Sequence, residues 1–334
     1  MKTMIADAGG KGGLRIEERP IPKPGPKQLL VRMRAFSLNY RDVDMLRGAH
    51  GALPPSFVPL SDGVGQVVEA GAEVSRFAAG DRVSPTFFPD WISGEANDEV
   101  RRRRLALPDD GVLSEYIVVD EHAAVRAPRN LSDVEAATLP CAGVTAWDAL
   151  FVSGQVRPGD TVVVQGTGGV SLFAVLLAKL AGARVIVTSG QRAKLDRALG
   201  LGASHGIDHG AEGWHERVLG LTEGRGADQI LDVAGGAGLS RSIAATRIGG
   251  TVSLIGYVAG RVAEFDVVVP IVRKTILRPI GVGSRSSFEA LVRAVEVNDV
   301  HPVVDSVFPF ARSHEALARL ASGEAFGKVA IVFE

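Results

Sequence analysis

The stretch Val162–Ser189, VVVQGTGGVSLFAVLLAKLAGARVIVTS, decides the fold. The valine-rich run Thr161 to Gln165 meets a glycine turn, Gly166-Thr167-Gly168-Gly169-Val170-Ser171, which opens an apolar helical stretch. A second β-branched run, Arg184 to Ser189, follows. Strand, glycine turn, helix and strand in that order form half of a dinucleotide-binding unit, a stronger signal than a glycine motif alone. Glycines let the backbone turn tightly and approach a pyrophosphate, whose charge the free amides and dipole of the new helix N-terminus favour. Ser171 stands where the usual pattern has its third glycine, which predicts a slightly wider contact between helix and strand.

Working outward, strand-like runs at Gln229 to Ala234, Thr251 to Gly256 and Leu277 to Val282 alternate with helical ones. Parallel neighbours need crossovers, so these runs predict a doubly wound parallel sheet. Before it the texture differs. Gln28 to Arg34, Gly65 to Ala70, Asp81 to Pro85 and Leu113 to Val119 are short apolar runs between Gly- and Pro-rich breaks, a mostly β domain. The change comes after Leu131, where Ser132-x-x-Glu135 forms a capping box ahead of helical spacing. The tail from Ser286 carries two amphipathic helices and two strands. Arg101 to Arg104 is the one low-complexity patch, and charge runs of this kind predict a short, solvated helix.

A chain of 334 residues is long enough for two cores. Acids and bases, 38 against 37, are interleaved, so nothing calls for nucleic acid or an anionic membrane, and the expected partner is a small molecule. The N-terminus lacks the apolar core of a signal peptide, and the longest apolar stretch, Val170 to Leu180, is too short to span a bilayer. A soluble, cytoplasmic protein is expected. A single cysteine, Cys141, excludes an internal disulfide and any all-cysteine metal site within one chain. The histidines, His50, His122, His205, His209, His215, His301 and His314, show no metal-ligand spacing.

The second strand ends at Thr188-Ser189, where NAD-specific folds place an acid to receive two ribose hydroxyls. Ser189 cannot repel a phosphate. Gly190, Gln191, Arg192 and Lys194 follow, putting two cations within reach of a ribose 2′-phosphate. The reading is NADP(H), with Arg192 and Lys194 as mere decoration of an exposed helix start as the alternative.

Val156-Arg157-Pro158-Gly159-Asp160, the glycine turn, Leu199-Gly200-Leu201-Gly202-Ala203-Ser204-His205-Gly206-Ile207-Asp208 and the closing Gly327-Lys328 together resemble the medium-chain dehydrogenase/reductase superfamily over essentially the whole chain. Ser37 to Gly48 and Pro59 to Gly71 resemble its zinc-independent quinone oxidoreductase branch. The resemblance implies a GroES-like β-rich catalytic domain over 1–125, completed by 286–334, and a Rossmann NADP(H)-binding domain over 126–285. In register, the places of the family's three catalytic zinc ligands fall on Asn39, Ser61 and Cys141, with Thr145 as the threonine that touches the cofactor. Neutral Asn and Ser are poor zinc donors, and the lobe that carries a structural zinc in such enzymes has no cysteine here, so no metal is expected. Cys141 then reads as a packed thiol rather than a nucleophile.

The resemblance also implies cofactor contacts at Val233, Ala234 and Gly235, at Ile255, Gly256 and Tyr257, and at Val282, Gly283 and Ser284, with His209 against the 2′-phosphate. Without a Lewis acid, conjugated acceptors ask least of the protein, since charge spreads onto an enolate or hydroquinone oxygen that a hydroxyl or amide can hydrogen-bond. The candidate catalytic groups are Tyr40 and Asn39 as donors, and Asp62, which either orients Tyr40 or a water or caps a turn before Gly63. Phe87, Phe88 and Trp91 either line an apolar cleft or pack the metal-free lobe. The expected function is NADPH-dependent, zinc-independent reduction of quinones or α,β-unsaturated carbonyls by a homodimer. The rivals are a metal-free alcohol dehydrogenase or ketone reductase, and a catalytically silent NADPH-binding protein.

Overall fold

The computed structural model describes residues 1–7, 13–48, 54–210 and 213–333, and His50 lies outside them. The chain forms two compact units, Met1–Val144 with Gly283–Glu334, and Thr145–Val282.

The first unit is built on strands β1 (Lys2–Asp7), β2 (Leu14–Glu18), β3 (Gln28–Ser37), β4 (Ser56–Phe57), β5 (Asp62–Ala70), β6 (Arg82–Pro85), β7 (Tyr116–Asp120) and β8 (Ala124–Arg126). Its C-terminal part adds two more, β15 (Val304–Pro309) and β16 (Lys328–Val332). One sheet runs β15-β16-β3-β5-β6-β8 with β7 also on β3, and a small one runs β2-β1-β4. In β3 the apolar residues Leu29, Val31, Met33 and Phe36 are buried while Arg32 and Arg34 stand out, the alternation of a strand with one wet face. These side chains join Val67, Val83, Phe310 and Ile331 in one core. The strands β1 and β2 were not read from the sequence.

The unit boundary differs from the expected one. Residues 126–144, assigned by their helical texture to the nucleotide domain, belong to the first unit, as do 283–285. The capping box forms as read, with the Glu135 N–H donating to Ser132 Oγ and the Ser132 N–H to Glu135 Oε2, 3.3 and 2.9 Å. The helix it starts, Asp133–Ala136, packs on β3 and β5, and Arg82 of β6 holds Asp133 at 2.7 Å. Periodicity marks where helix begins, not which core it joins.

The Arg101–Arg104 run is turn and irregular chain rather than helix; Arg101 to Arg103 are exposed, as expected, but the run is also engaged. Arg103 bonds Asp109 (2.9 Å) and Asp120 (3.1 Å) and approaches Asp90 (3.5 Å), Arg101 lies over the Phe88 ring, and Arg104 donates to the Leu107 carbonyl. The acids that pair with Arg103 lie 13 residues before it and 6 and 17 after it, and none stands at the i±3 or i±4 spacing of a helix face. Phe87, Phe88 and Trp91 are buried and meet edge-on, which decides their role as packing of the lobe.

The second unit carries a six-stranded, all-parallel sheet of β9 (Thr161–Gln165), β10 (Arg184–Ser189), β11 (His205–Asp208), β12 (Ala227–Asp232), β13 (Thr246–Leu254) and β14 (Ile276–Pro279). Their order is β11-β10-β9-β12-β13-β14, the doubly wound arrangement whose strand sequence reverses beside the first strand. β9 and β10 keep the expected bounds, and β11 was missed as a strand. The run expected over Gln229 to Ala234, β12, ends at Asp232, whose carboxylate takes the N–H groups of Ala234 and Gly235 at 3.1 and 2.8 Å and turns the chain out of the sheet. Among the described residues no helix is long and apolar enough to cross a membrane.

Candidate active site

The glycine turn stands at the carboxyl end of β9. Gly166 adopts φ +72°, a left-handed conformation that a β-branched residue strains to reach, and nothing lies within 4 Å of where a side chain on Gly168 would begin. Gly168 caps the helix Gly169–Leu180, whose first N–H groups are free for an anion. Ser171 Oγ donates to the Gln165 carbonyl at 2.7 Å, so its hydroxyl fills the gap expected from the lost third glycine. Thr167 and Val170 complete the cradle. These residues fit the pyrophosphate of a dinucleotide.

Behind the turn lies a polar network that local sequence reading missed. The Gln165 side-chain amide donates to Ser242 Oγ (2.8 Å), and Ser242 donates to Asp232 (2.7 Å), which in turn fixes the loop at Ala234 and Gly235. A Cβ on Gly256 would stand 2.4 Å from the Val233 carbonyl, so that turn also requires glycine. The N–H groups of Ile255 and Gly256 return to the Asp232 carbonyl, and Tyr257 lies under Arg261. The proposed cofactor loops thus meet at the carboxyl ends of β9, β12 and β13.

At the end of β10 the His209 ring lies over Gly190, 3.3 Å from where a Cβ would stand, beside Ser189. Arg192 stands out in solvent, its guanidinium 3.0 Å from Asp196. Lys194, by contrast, is buried on its helix with Leu195 and Ala198. Asp208, in register with Ser189, is exposed, its carboxylate accepting the Gly210 N–H. Thr145 is buried at the start of the second unit. Val282 holds φ +64°, costly for a β-branched residue and a mark of a constrained position. Gly283 opens the return to the first unit, and Ser284 there caps the helix Arg285–Val297, accepting the Ser287 N–H at 3.2 Å.

The first unit brings Asn39, Ser61, Asp62 and Cys141 together, as the register of the resemblance implies. It adds a residue that the sequence reading quoted only as a signature, Lys328. The Lys328 ammonium, almost wholly buried, donates to Asn39 Oδ1 at 2.6 Å and to the Leu38 carbonyl, and lies 3.7 Å from Asp62 Oδ2. Asp62 is fully buried and begins β5 opposite Ser37 rather than capping a turn, which removes the turn reading. Its carboxylate accepts Ser61 Oγ (2.8 Å) and the Cys141 N–H (3.3 Å). Burial pushes its pKa above the ordinary value, against the pull of Lys328. Leu60, just before, sits at φ +66° with its side chain in the core, strain of the kind that surrounding structure must hold at functional sites.

Asn39 is the N-cap of the helix Tyr40–Leu46, and Asp42 returns to accept the Asn39 N–H at 2.7 Å. Burial raises the Asp42 carboxyl to about 6, opposed by Arg41. Tyr40 is half-buried at the first helical position. Asn39 Nδ2 is buried with no hydrogen-bond partner, which costs about 1–3 kcal/mol unless a ligand supplies an acceptor.

A catalytic zinc does not fit this donor set. Asn39 Oδ1 is committed to an ammonium, Ser61 Oγ to Asp62, and the Cys141 thiol is pushed far up, first by burial and then by the Asp62 charge. A dication placed among them would face Lys328 directly. Among the described residues no three His, Cys, Asp or Glu side chains gather as a metal site.

Comparison with known proteins gives the family. Residues 25–129 match the alcohol dehydrogenase GroES-like domain, and residues 169–296 the zinc-binding dehydrogenase domain. A protein of Schizosaccharomyces pombe named zinc-type alcohol dehydrogenase-like is 40% identical over 97% of this chain and 96% of its own. This chain belongs to the medium-chain dehydrogenase/reductase superfamily. A solved structure from Sinorhizobium meliloti 1021, named as an alcohol dehydrogenase, superposes with a TM-score of 0.92 at 45% identity over the whole of both chains. A chloroplast envelope quinone oxidoreductase homolog of Arabidopsis thaliana is 29% identical over 97% of this chain and 95% of its own. The superfamily consists of oxidoreductases that use a nicotinamide cofactor, and the glycine cradle at Gly166–Gly169 is where this medium-chain dehydrogenase/reductase would hold it.

Proposed function

We propose that the chain is an NADPH-dependent, zinc-independent reductase of quinones or α,β-unsaturated carbonyls. The observation that carries this reading is the Lys328–Asn39–Asp62 network standing where the family's metal ligands fall. The bound nicotinamide supplies the hydride. The chain must then stabilise the oxygen that gains charge and deliver a proton. An amide and a phenol, Asn39 and Tyr40, suffice for an enolate or hydroquinone oxygen but serve an alkoxide poorly. Ser189, Arg192 and His209 around the second ribose support NADPH, while exposed Asp208 beside them favours testing NADH in parallel.

The second reading, alcohol dehydrogenation or ketone reduction without metal, is favoured by the names of the relatives above. Cofactor oxidation with a quinone, a 2-alkenal, a cyclic enone and a saturated ketone, each with NADPH and NADH and with a chelator present, separates the two. Turnover on the conjugated acceptors alone, unchanged by the chelator and faster with NADPH, is the expected outcome. Turnover on the ketone favours the second reading, and tight NADPH binding without turnover favours a silent binder. Tyr40→Phe at full rate would remove the phenol from the proton step.

We also propose that two copies pair through β14. It is the sheet's edge strand, and in the chain segment leading into it Val262, Val268, Ile271 and Val272 are all more than half exposed, with no residue of the helix Val268–Arg273 buried. An open edge with an apolar flank invites a second copy. Light scattering should give twice the 35.1 kDa chain mass, and the Ile271→Asp/Val272→Asp variant the single mass; a monomeric wild type would refute the pairing.

A further inference from the structure

We propose that Lys328 is a positioning residue for the reduction, acting through Asn39: it fixes which face of the Asn39 amide meets the substrate oxygen. This rests on the metal-free reductase reading above and names the group that takes over the orienting task of a metal.

An amide side chain can present either its oxygen or its nitrogen, and rotation exchanges the two. A lysine has three donors and no acceptor, so the 2.6 Å contact settles the choice: Oδ1 faces the ammonium, and Nδ2, on the side of Asp62, is the donor that remains. Nδ2 is buried on the side of the Asp62 carboxylate but within ordinary hydrogen-bond distance of no acceptor, so it can turn to an oxygen that arrives with the substrate. Lys328 is itself held from two sides. The Leu38 carbonyl accepts from it, and Asp62, kept in place by Ser61 Oγ and the Cys141 N–H, lies 3.7 Å away. The three polar groups come from the end of β3, the start of β5 and the start of β16, so the network ties three strands at the point where the helix Tyr40–Leu46 begins. Charge-assisted bonds to an amide oxygen also polarise it, making the Nδ2 hydrogens better donors.

The test is a double-mutant cycle. Lys328→Met alone strands the buried Asp62 charge and risks the fold, so the cycle is also run in an Asp62→Asn background, where Lys328→Met leaves no unpaired charge. In both backgrounds Lys328→Met should lower kcat about 100-fold, the scale of an ångström of misplacement. Acceptor KM and the NADPH Kd should stay within about threefold, because only a transition-state contact is lost. Asn39→Ala should cost as much, and the double variant no more than the worse single one. Losses that multiply would overturn the positioning role. So would a weakened NADPH Kd with kcat intact, which would assign the ammonium to the cofactor's phosphates instead. A wild-type chain inactive on every acceptor would overturn the reductase reading itself, and this role with it, before any variant is compared.

Discussion

Gly166→Val is expected to leave a folded protein that no longer holds its cofactor. In the unliganded turn a Cβ at this position meets nothing closer than Ser171 Oγ at 3.8 Å and Val233 Cγ2 at 3.9 Å, so the fold does not clash with the new side chain. The cost to folding is backbone strain at φ +72°, about 1–3 kcal/mol for a β-branched residue. The cost to binding is larger, because the pyrophosphate needs the bare backbone at this turn. A rise in NADPH Kd of at least about 100-fold is expected, equivalent to the loss of two or more charge-assisted contacts. Gly159→Val is the control, since Gly159 holds φ +89° with open space around it at the opposite end of β9. It should lose comparable stability and no affinity. Calorimetric titration of both variants decides the matter: equal affinity in the two would mean that the glycine turn serves the fold alone.

Asp228→Ala is the substitution with the largest expected effect on stability. Asp228 is buried where β12 begins, and its carboxylate accepts both Arg225 nitrogens (2.7 and 2.6 Å), Arg247 Nε (2.6 Å) and the Thr161 N–H (2.8 Å). It thereby clamps the starts of β9, β12 and β13. Removing one member of such a network leaves two arginines without their anion and should cost about 3 kcal/mol in urea unfolding of the second unit. Burial disfavours the charged carboxyl, but Arg225, the Thr161 amide and Arg247 outweigh it and hold its pKa at about 2. The pKa is depressed relative to the unfolded value of about 3.9, so the contribution is fully present above that value and is lost as pH falls from about 4 towards 2. Asp228→Asn should flatten the acid limb of the stability profile in that window. An unchanged acid limb would show that the clamp carries little of the unit's stability.

These two residues also separate what could be read locally from what could not. Gly166 was legible because a glycine turn between a β-branched run and an apolar helix depends only on neighbours in the chain, and β9 and β10 fell where they were read for the same reason. The register that placed Asn39, Ser61 and Cys141 together was legible through family resemblance, and the structure does gather them around Asp62. Asp228 was not legible: its partners include Arg247 and Thr161, 19 and 67 residues away. The partners of the exposed arginine run were hidden for the same reason, since a helix and a turn whose Arg103 meets Asp90, Asp109 and Asp120 look alike until the acids are placed.

By itself, then, the amino-acid sequence determined the doubly wound sheet and the glycine turn, because strand alternation and turn chemistry are properties of residues and short windows. The tertiary structure alone decided what surrounds Asn39 and Asp62. Lys328 comes 289 residues after Asn39 and 266 after Asp62, and only the antiparallel pairing of β16 with β3, and of β3 with β5, brings an ammonium, an amide and a carboxylate into one buried network. A buried charge is tolerable only where partners surround it, and which partners those are is a property of the folded sheet rather than of any stretch of chain.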